Sequence, residues 1–189
     1  MKKGYIIIIL CLLCGAICSA RDLERGYRGF VEWDNAIGET DYLTQYLGHY
    51  GKGRLWFIGL ASSHGYQFNN HWFIGGGAMI SSGCPKSDMF LPIFAEVRYD
   101  TKIWKLTPFI DFRGGYYYDG GKSGGLYLSP TLGYCFQTSK KLNFNLGIGI
   151  TVRGFTKNTY KTIGYDTWKT GSSTKNYTLF AARFGIDFK

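Results

Sequence analysis

Apolar and polar residues alternate along most of the chain after Arg25. That period of two restricts it to β-strands whose two faces differ in chemistry. Leu91 to Tyr99 shows the pattern most plainly. Leu91, Ile93, Ala95, Val97 and Tyr99 share one side, opposed by Phe94, Glu96 and Arg98. Eight such segments are legible. Tyr27 to Asp34 sets Tyr27, Val31 and Trp33 against Arg28, Glu32 and Asp34. Arg54 to Ser63 carries apolar residues on both faces, and Trp72 to Ser82 groups Trp72, Ile74, Ala78 and Ile80. Ile110, Phe112 and Tyr116 oppose Asp111 and Arg113. Leu126 to Gln137, Leu142 to Arg153 and Phe180 to Phe188 complete the series. With 27 glycines, 4 prolines and 18% aromatic residues, the composition suits strands joined by turns and argues against a helical bundle.

The connections alternate in length. Those near 67–71, 101–105 and 138–141 are short, whereas 37–53, 83–88, 119–125 and 154–176 are longer, the last being the longest. Long connections at one end of an up-and-down meander and tight turns at the other are the asymmetry of outer-membrane barrels. An even strand count puts both chain termini at the short-turn end. Strands of about 9–11 residues are enough to cross a bilayer, and eight of them use roughly half the chain. A barrel of that size has a lumen that side chains fill. The expected fold is therefore all-β, an eight-stranded antiparallel up-and-down transmembrane barrel.

The placement of the charges decides which face looks outward, and so separates this reading from a soluble lipocalin-like barrel with an apolar interior. Every lysine past residue 20 lies in a connection or at a terminus. The positive charges within the strand segments are all arginine: Arg28, Arg54, Arg98, Arg113, Arg153 and Arg183. The acids there are Glu32, Asp34, Glu96, Asp111 and Asp187. The guanidinium fork satisfies two acceptors at once, which suits an enclosed polar interior. These eleven residues are expected to form a lumenal ionic network, with the apolar face toward lipid. Tyr27, Trp33, Trp72, Tyr99, Tyr116 and Tyr134 are the expected girdle.

Residues 1–20 read as a cleaved export signal, with a basic start (Lys2, Lys3), an apolar stretch from Tyr5 to Leu13 and a small-residue site at Cys18-Ser19-Ala20. The barrel domain is then 21–189. Three of the five cysteines leave with the signal, so Cys84 and Cys135 allow at most one bridge. The formal charge of +9 falls to +7 without Lys2 and Lys3. That excess, in the connections, favours anionic lipid or polysaccharide phosphate over nucleic acid. In the longest connection Lys157, Tyr160, Lys161, Tyr165, Trp168 and Lys169 interleave rings with cations, a pattern suited to glycan or lipopolysaccharide contact.

Catalytic and metal signals are thin. His49, His64 and His71 are the only histidines. Ser63 and His64 point to opposite faces of a strand; Ser62 and His64 share one, but no acid is assigned to them. The run Gly120 to Gly125 lacks the strand–loop–helix context of a phosphate loop. No enzyme activity, cofactor or metal is expected. The expected function is an integral outer-membrane barrel with a structural or surface-interaction role through its external loops, acting as a monomer. The alternative is a small-solute channel or a barrel that binds a hydrophobic ligand.

Several runs carry a resemblance. His64-Gly65-Tyr66-Gln67-Phe68 before Gly75-Gly76-Gly77 resembles the small outer-membrane β-barrel domain proteins of Bacteroides-type bacteria. Pro92 to Arg98, Pro108 to Asp111, Leu128 to Tyr134, Leu142 to Ile150 and Phe184 to Phe188 continue the likeness over about residues 26–189. In architecture the chain is also similar to the outer-membrane protein A transmembrane barrel. The resemblance implies an outer-membrane location and insertion by the barrel-assembly machinery, but no reaction. It also implies an assembly signal in Phe184, Ile186 and Phe188, although here Lys189 follows the terminal aromatic.

Overall fold

The computed structural model describes residues 25–40, 53–84, 89–101, 106–119, 123–138, 142–163 and 166–188. The expected export signal lies outside them. The described residues form a closed antiparallel barrel of eight strands in chain order. The strands are β1 (Gly26–Thr40), β2 (Gly53–Gln67), β3 (Trp72–Cys84), β4 (Met89–Asp100), β5 (Leu106–Asp119), β6 (Ser123–Gln137), β7 (Leu142–Ile163) and β8 (Asp166–Phe188). Each pairs with its neighbour, and β1 closes on β8 from Gly29 opposite Phe188 to Ile37 opposite Phe180. No sheet edge is left along the closed part.

The alternation sets side chains as the sequence pattern expects. β4 alternates exposed and buried from Met89 to Arg98. Trp33, Trp72, Ile93, Tyr116, Leu132, Tyr134, Ile148, Phe180 and Phe184 all stand on the exposed outer surface. The inner set is charged in its lower and middle parts, while Ala36, Phe57, Phe90, Tyr117, Leu179 and Ala181 pack together near the opposite end. Phe57 explains why β2 carries apolar residues on both faces: its inner side contributes to that apolar layer.

The turn after β2 is built locally. Asn69 Oδ1 accepts hydrogen bonds from the backbone N–H of His71 at 2.8 Å and of Trp72 at 2.9 Å, and the Phe68 N–H donates to the Trp72 carbonyl. At the same end the Thr101 N–H and hydroxyl both donate to the Pro108 carbonyl.

The strands run longer than expected, from 12 residues in β4 to 23 in β8. The largest difference falls on 154–176, expected as a loop. Instead β7 and β8 stay paired up to Ile163 opposite Asp166. Thr156, Thr159, Thr162, Thr167, Thr170 and Thr174 lie in this stretch, and their β-branched side chains favour extended backbone. With no apolar face to bury, the segment shows no alternation. The Gly-rich stretch near 119–125 also differs, since Tyr117 pairs with Gly125, Tyr118 with Gly124 and Asp119 with Ser123.

Close backbone approach fixes some glycines. A Cβ at Gly115 would fall on the Ile93 carbonyl oxygen, whereas one at Gly76 meets only the Phe94 carbonyl oxygen at 3.3 Å. Gly115→Ala is therefore expected to reduce the folded fraction severely and Gly76→Ala to leave it near wild type. Migration of unboiled against boiled protein on a denaturing gel reads this directly.

Candidate functional site

The inner face holds three stacked layers. At the short-turn end Arg28, on β1, reaches both Asp100 on β4 and Asp187 on β8, and donates to Gln67 Oε1 at 2.8 Å. Arg98 donates to Asp100 at 2.8 Å and to Asn145 Oδ1 on β7 at 2.9 Å. Asn143 donates to the second oxygen of Asp187 at 2.6 Å. All these groups are buried.

The middle layer is centred on two arginines. Arg113, on β5, pairs with Glu32 on β1, with Glu96 at 3.2 Å and with Asp111 at 3.5 Å. Arg183, on β8, pairs with Asp34 at 3.0 Å and with Asp111 at 2.5 Å, and donates to the Ser129 hydroxyl. Several of these bonds join strands on opposite walls (β1 to β5, β5 to β8, β4 to β7). They therefore run through the lumen rather than around it.

Aromatic rings sandwich the guanidinium planes. Arg98 lies 3.6 Å from the Phe109 ring centroid and 4.9 Å from that of Phe30, which also carries Arg28 at 4.7 Å. Arg113 stands over Phe94. Desolvated contacts of this kind are worth about 2 kcal/mol or more, and the rings exclude water from the ion pairs beside them.

The third layer is different. Arg153 lies over Phe57 at 4.3 Å and donates to Ser81 Oγ on the opposite wall at 3.3 Å. Among the described residues it has no carboxylate within ion-pair distance. Beyond it Phe57, Phe90, Tyr117 and Leu179 close the interior, and the Tyr117 hydroxyl donates to the Gly154 carbonyl at 2.7 Å.

The expected network residues thus divide. Arg28, Glu32, Asp34, Glu96, Arg98, Asp111, Arg113, Arg183 and Asp187 meet in the two charged layers, while Arg153 stands apart from them. Arg54 falls outside: it is exposed near the β2 end, and its position has the parity of Trp56, Ile58 and Leu60 on the outer face. Asp100 is the partner that the sequence reading missed. It follows Glu96 and Arg98 at the same spacing of two, so continued parity was the available signal.

On the outer face Ser62 Oγ and His64 Nε2 are 2.9 Å apart, and the Tyr27 hydroxyl meets His64 Nδ1 at 2.5 Å. These bonds give the His64 ring a polar partner at each nitrogen on the outward-facing side of β1 and β2. Phe188 packs against Tyr27 and His64 and is buried, whereas Phe184 is exposed and Ile186 half-buried. Cys135 is a free buried thiol whose S–H points at Asp187 Oδ2, so it forms no bridge with Cys84. Of the expected external contacts, Tyr165 lies outside the described residues. Lys157, Tyr160, Lys161, Trp168 and Lys169 lie on the paired extensions of β7 and β8.

Removing one partner of a buried pair strands the other at a cost of about 3–5 kcal/mol. Arg183→Met is expected to destabilise the barrel by that order and Arg183→Met with Asp34→Asn by clearly less. Urea unfolding in lipid vesicles measures both, and equal penalties would contradict the pairing.

No protein-family model matches the chain, and neither does any curated protein. Among solved structures it is similar to Neisserial surface protein A, with a TM-score of 0.58 at 11% identity over 87% of this chain and 99% of that one. Weaker likenesses are to a de novo designed transmembrane β-barrel (TM-score 0.41, 14% identity, 85% of this chain and 93% of that one) and to the KdgM porin (0.31, 10%, 87% and 99%). At such identities the first likeness is one of fold: a closed eight-stranded barrel of the outer-membrane kind.

Proposed function

We propose that this chain is exported by its N-terminal signal and built into a bacterial outer membrane as a barrel closed to solutes. Its role, structural or interactive, is exerted at the cell surface and involves no catalysis. The observation that carries this reading is the set of ion pairs joining opposite walls, Arg28 to Asp100 and Arg113 to Glu32 above all. A conducting lumen needs a continuous water path, and these bonds, their ring platforms and the apolar layer near Tyr117 occupy that path. The alternative, a channel or a lumenal site for a hydrophobic ligand, runs against the same filling.

The location rests on the outer surface, where aromatic and branched apolar side chains form a continuous exposed band. The orientation follows from the asymmetric ends. Both ends of the barrel segment lie with the short turns, on the periplasmic side, and the long β7–β8 extension stands outside. Kinship with the small barrel proteins of Bacteroides-type bacteria belongs to this reading, supported by the runs from His64 to Phe68 and from Pro92 to Arg98.

Two outcomes are expected. The purified barrel in planar bilayers gives no steady single-channel conductance; a reproducible open level would overturn the closed reading. Trypsin added to intact cells cuts within 155–175 and leaves the rest of the barrel protected, whereas cleavage only after the outer membrane is broken would reverse the orientation.

A further inference from the structure

Among the described residues five arginines are buried, and four of them hold carboxylates. Arg153 is the fifth. Its Nη1 donates to Ser81 Oγ across the lumen at 3.3 Å, a long bond, while Nε and Nη2 are buried without a hydrogen-bond partner. The one acid that it senses through space, Asp34, is itself held by Arg183 at 3.0 Å. Phe57, at 4.3 Å, covers one face of the guanidinium but takes up none of its N–H groups.

Two neighbouring groups share this condition. Tyr127 lies directly opposite Arg153 on β6, with its ring centroid 6.0 Å from the guanidinium carbon, and its hydroxyl is buried with no partner. Ser81 accepts from Arg153 at its oxygen, which leaves the hydroxyl hydrogen as a further donor. The three side chains are at most 2% exposed and come from β3, β6 and β7. What they present in common is N–H and O–H hydrogen, with a single positive charge. In the apolar layer beyond them the Tyr117 hydroxyl is engaged with the Gly154 carbonyl, and the side chains of Phe90 and Leu179 bring no polar atom. A buried charge without a counter-charge is costly. The donor set is therefore short of one acceptor that carries negative charge.

We infer that Arg153, Tyr127 and Ser81 form a binding site for one monovalent, weakly hydrated anion of the halide class. Charge selects the valence, since a dianion such as sulfate brings one negative charge too many to a layer with one cation. Burial selects the hydration. An ion must leave its water to reach Arg153 Nε and Nη2, and chloride or bromide does so at lower cost than fluoride or phosphate. Water meets the site less well, because it brings two donors of its own to a layer of donors. The ion lies between the charged layers and the apolar layer, so it neutralises Arg153 without opening a path through either. The inference goes beyond the closed barrel proposed above and draws on the lumen alone, not on orientation or a surface role.

The test unfolds the full barrel in lipid vesicles with urea, at fixed ionic strength, with sodium chloride replacing sodium gluconate. A ligand that binds only the folded state stabilises it by mass action, so one site raises the folded-to-unfolded ratio about tenfold for each tenfold rise in chloride above half-saturation. Bromide is expected to act alike and fluoride not. Arg153→Met is expected to fold in gluconate and to lose the chloride dependence, and Tyr127→Phe to raise the half-saturating concentration at least threefold. A wild-type ratio that is the same in chloride and gluconate overturns the site. So does an equal chloride response in Arg153→Met, which would place the effect on the surface. If Arg153→Met does not fold, Tyr127→Phe and crystals grown in bromide decide. An anomalous peak within hydrogen-bond distance of Arg153 Nε or Nη2 is expected, and a lumen without one overturns the proposal. Planar-bilayer recordings keep the two readings apart, since conductance bears on the closed barrel and the urea series on the ion.

Discussion

Hydrocarbon offers no hydrogen-bond partner to a peptide group, so a sheet that crosses a membrane must close on itself. In this chain the requirement is met by β1 pairing with β8, and the other features of the interior follow from where closure occurs. Eight strands enclose a space only about as wide as two side chains reaching across it. Every inward residue then faces an opposite wall at bonding distance, and a charge placed there finds its counterpart on the far strand. That is how Arg113 on β5 comes to hold Glu32 on β1, and Arg28 on β1 to hold Asp100 on β4.

Such a core is held differently from that of a soluble protein. Many of the large hydrophobic side chains lie outside, where they contribute to partition into lipid but not to cohesion between walls, and inside the barrel a compact apolar layer around Phe57, Phe90, Tyr117 and Leu179 packs at one end. In the rest of the interior cohesion falls to charge-assisted hydrogen bonds and to guanidinium groups stacked on rings, with Arg98 between Phe30 and Phe109 as the tightest example. Buried ion pairs contribute little net stability compared with well-packed apolar groups, yet breaking one is costly. A core of this kind therefore specifies one arrangement strongly, since a one-residue slip of β4 would turn Glu96 and Arg98 out into hydrocarbon, and one of β5 would turn out Asp111 and Arg113.

The fold was legible because alternation, the absence of lysine from the alternating segments and the presence of arginine within them all point the same way. Ten of the charged positions could be assigned to the lumen by parity alone. Parity also marks the errors: Arg54 has the phase of the outer face near the end of β2, and Asp100 has the inner phase but sits at a strand end. The β7–β8 extension was illegible for a physical reason. Alternation records the difference between two environments, and beyond Gly154 and Asn176 β7 and β8 pair only with each other and no longer bound the closed barrel, so its inside and outside set no alternation there. Partners across the lumen were hidden too, since a sequence shows which residues point inward but not which meet.

The placement of Phe188 has a consequence for how such a barrel is made. Its ring lies over Gly29, where any side chain would collide with it, and between Tyr27 and His64. Two of those three residues belong to the first strand and the other to the second, so this cover exists only once the last strand has met the first. The shelter of the last strand's aromatic ring is thus a product of closure rather than of the strand that carries it, and an unclosed sheet would leave that ring bare.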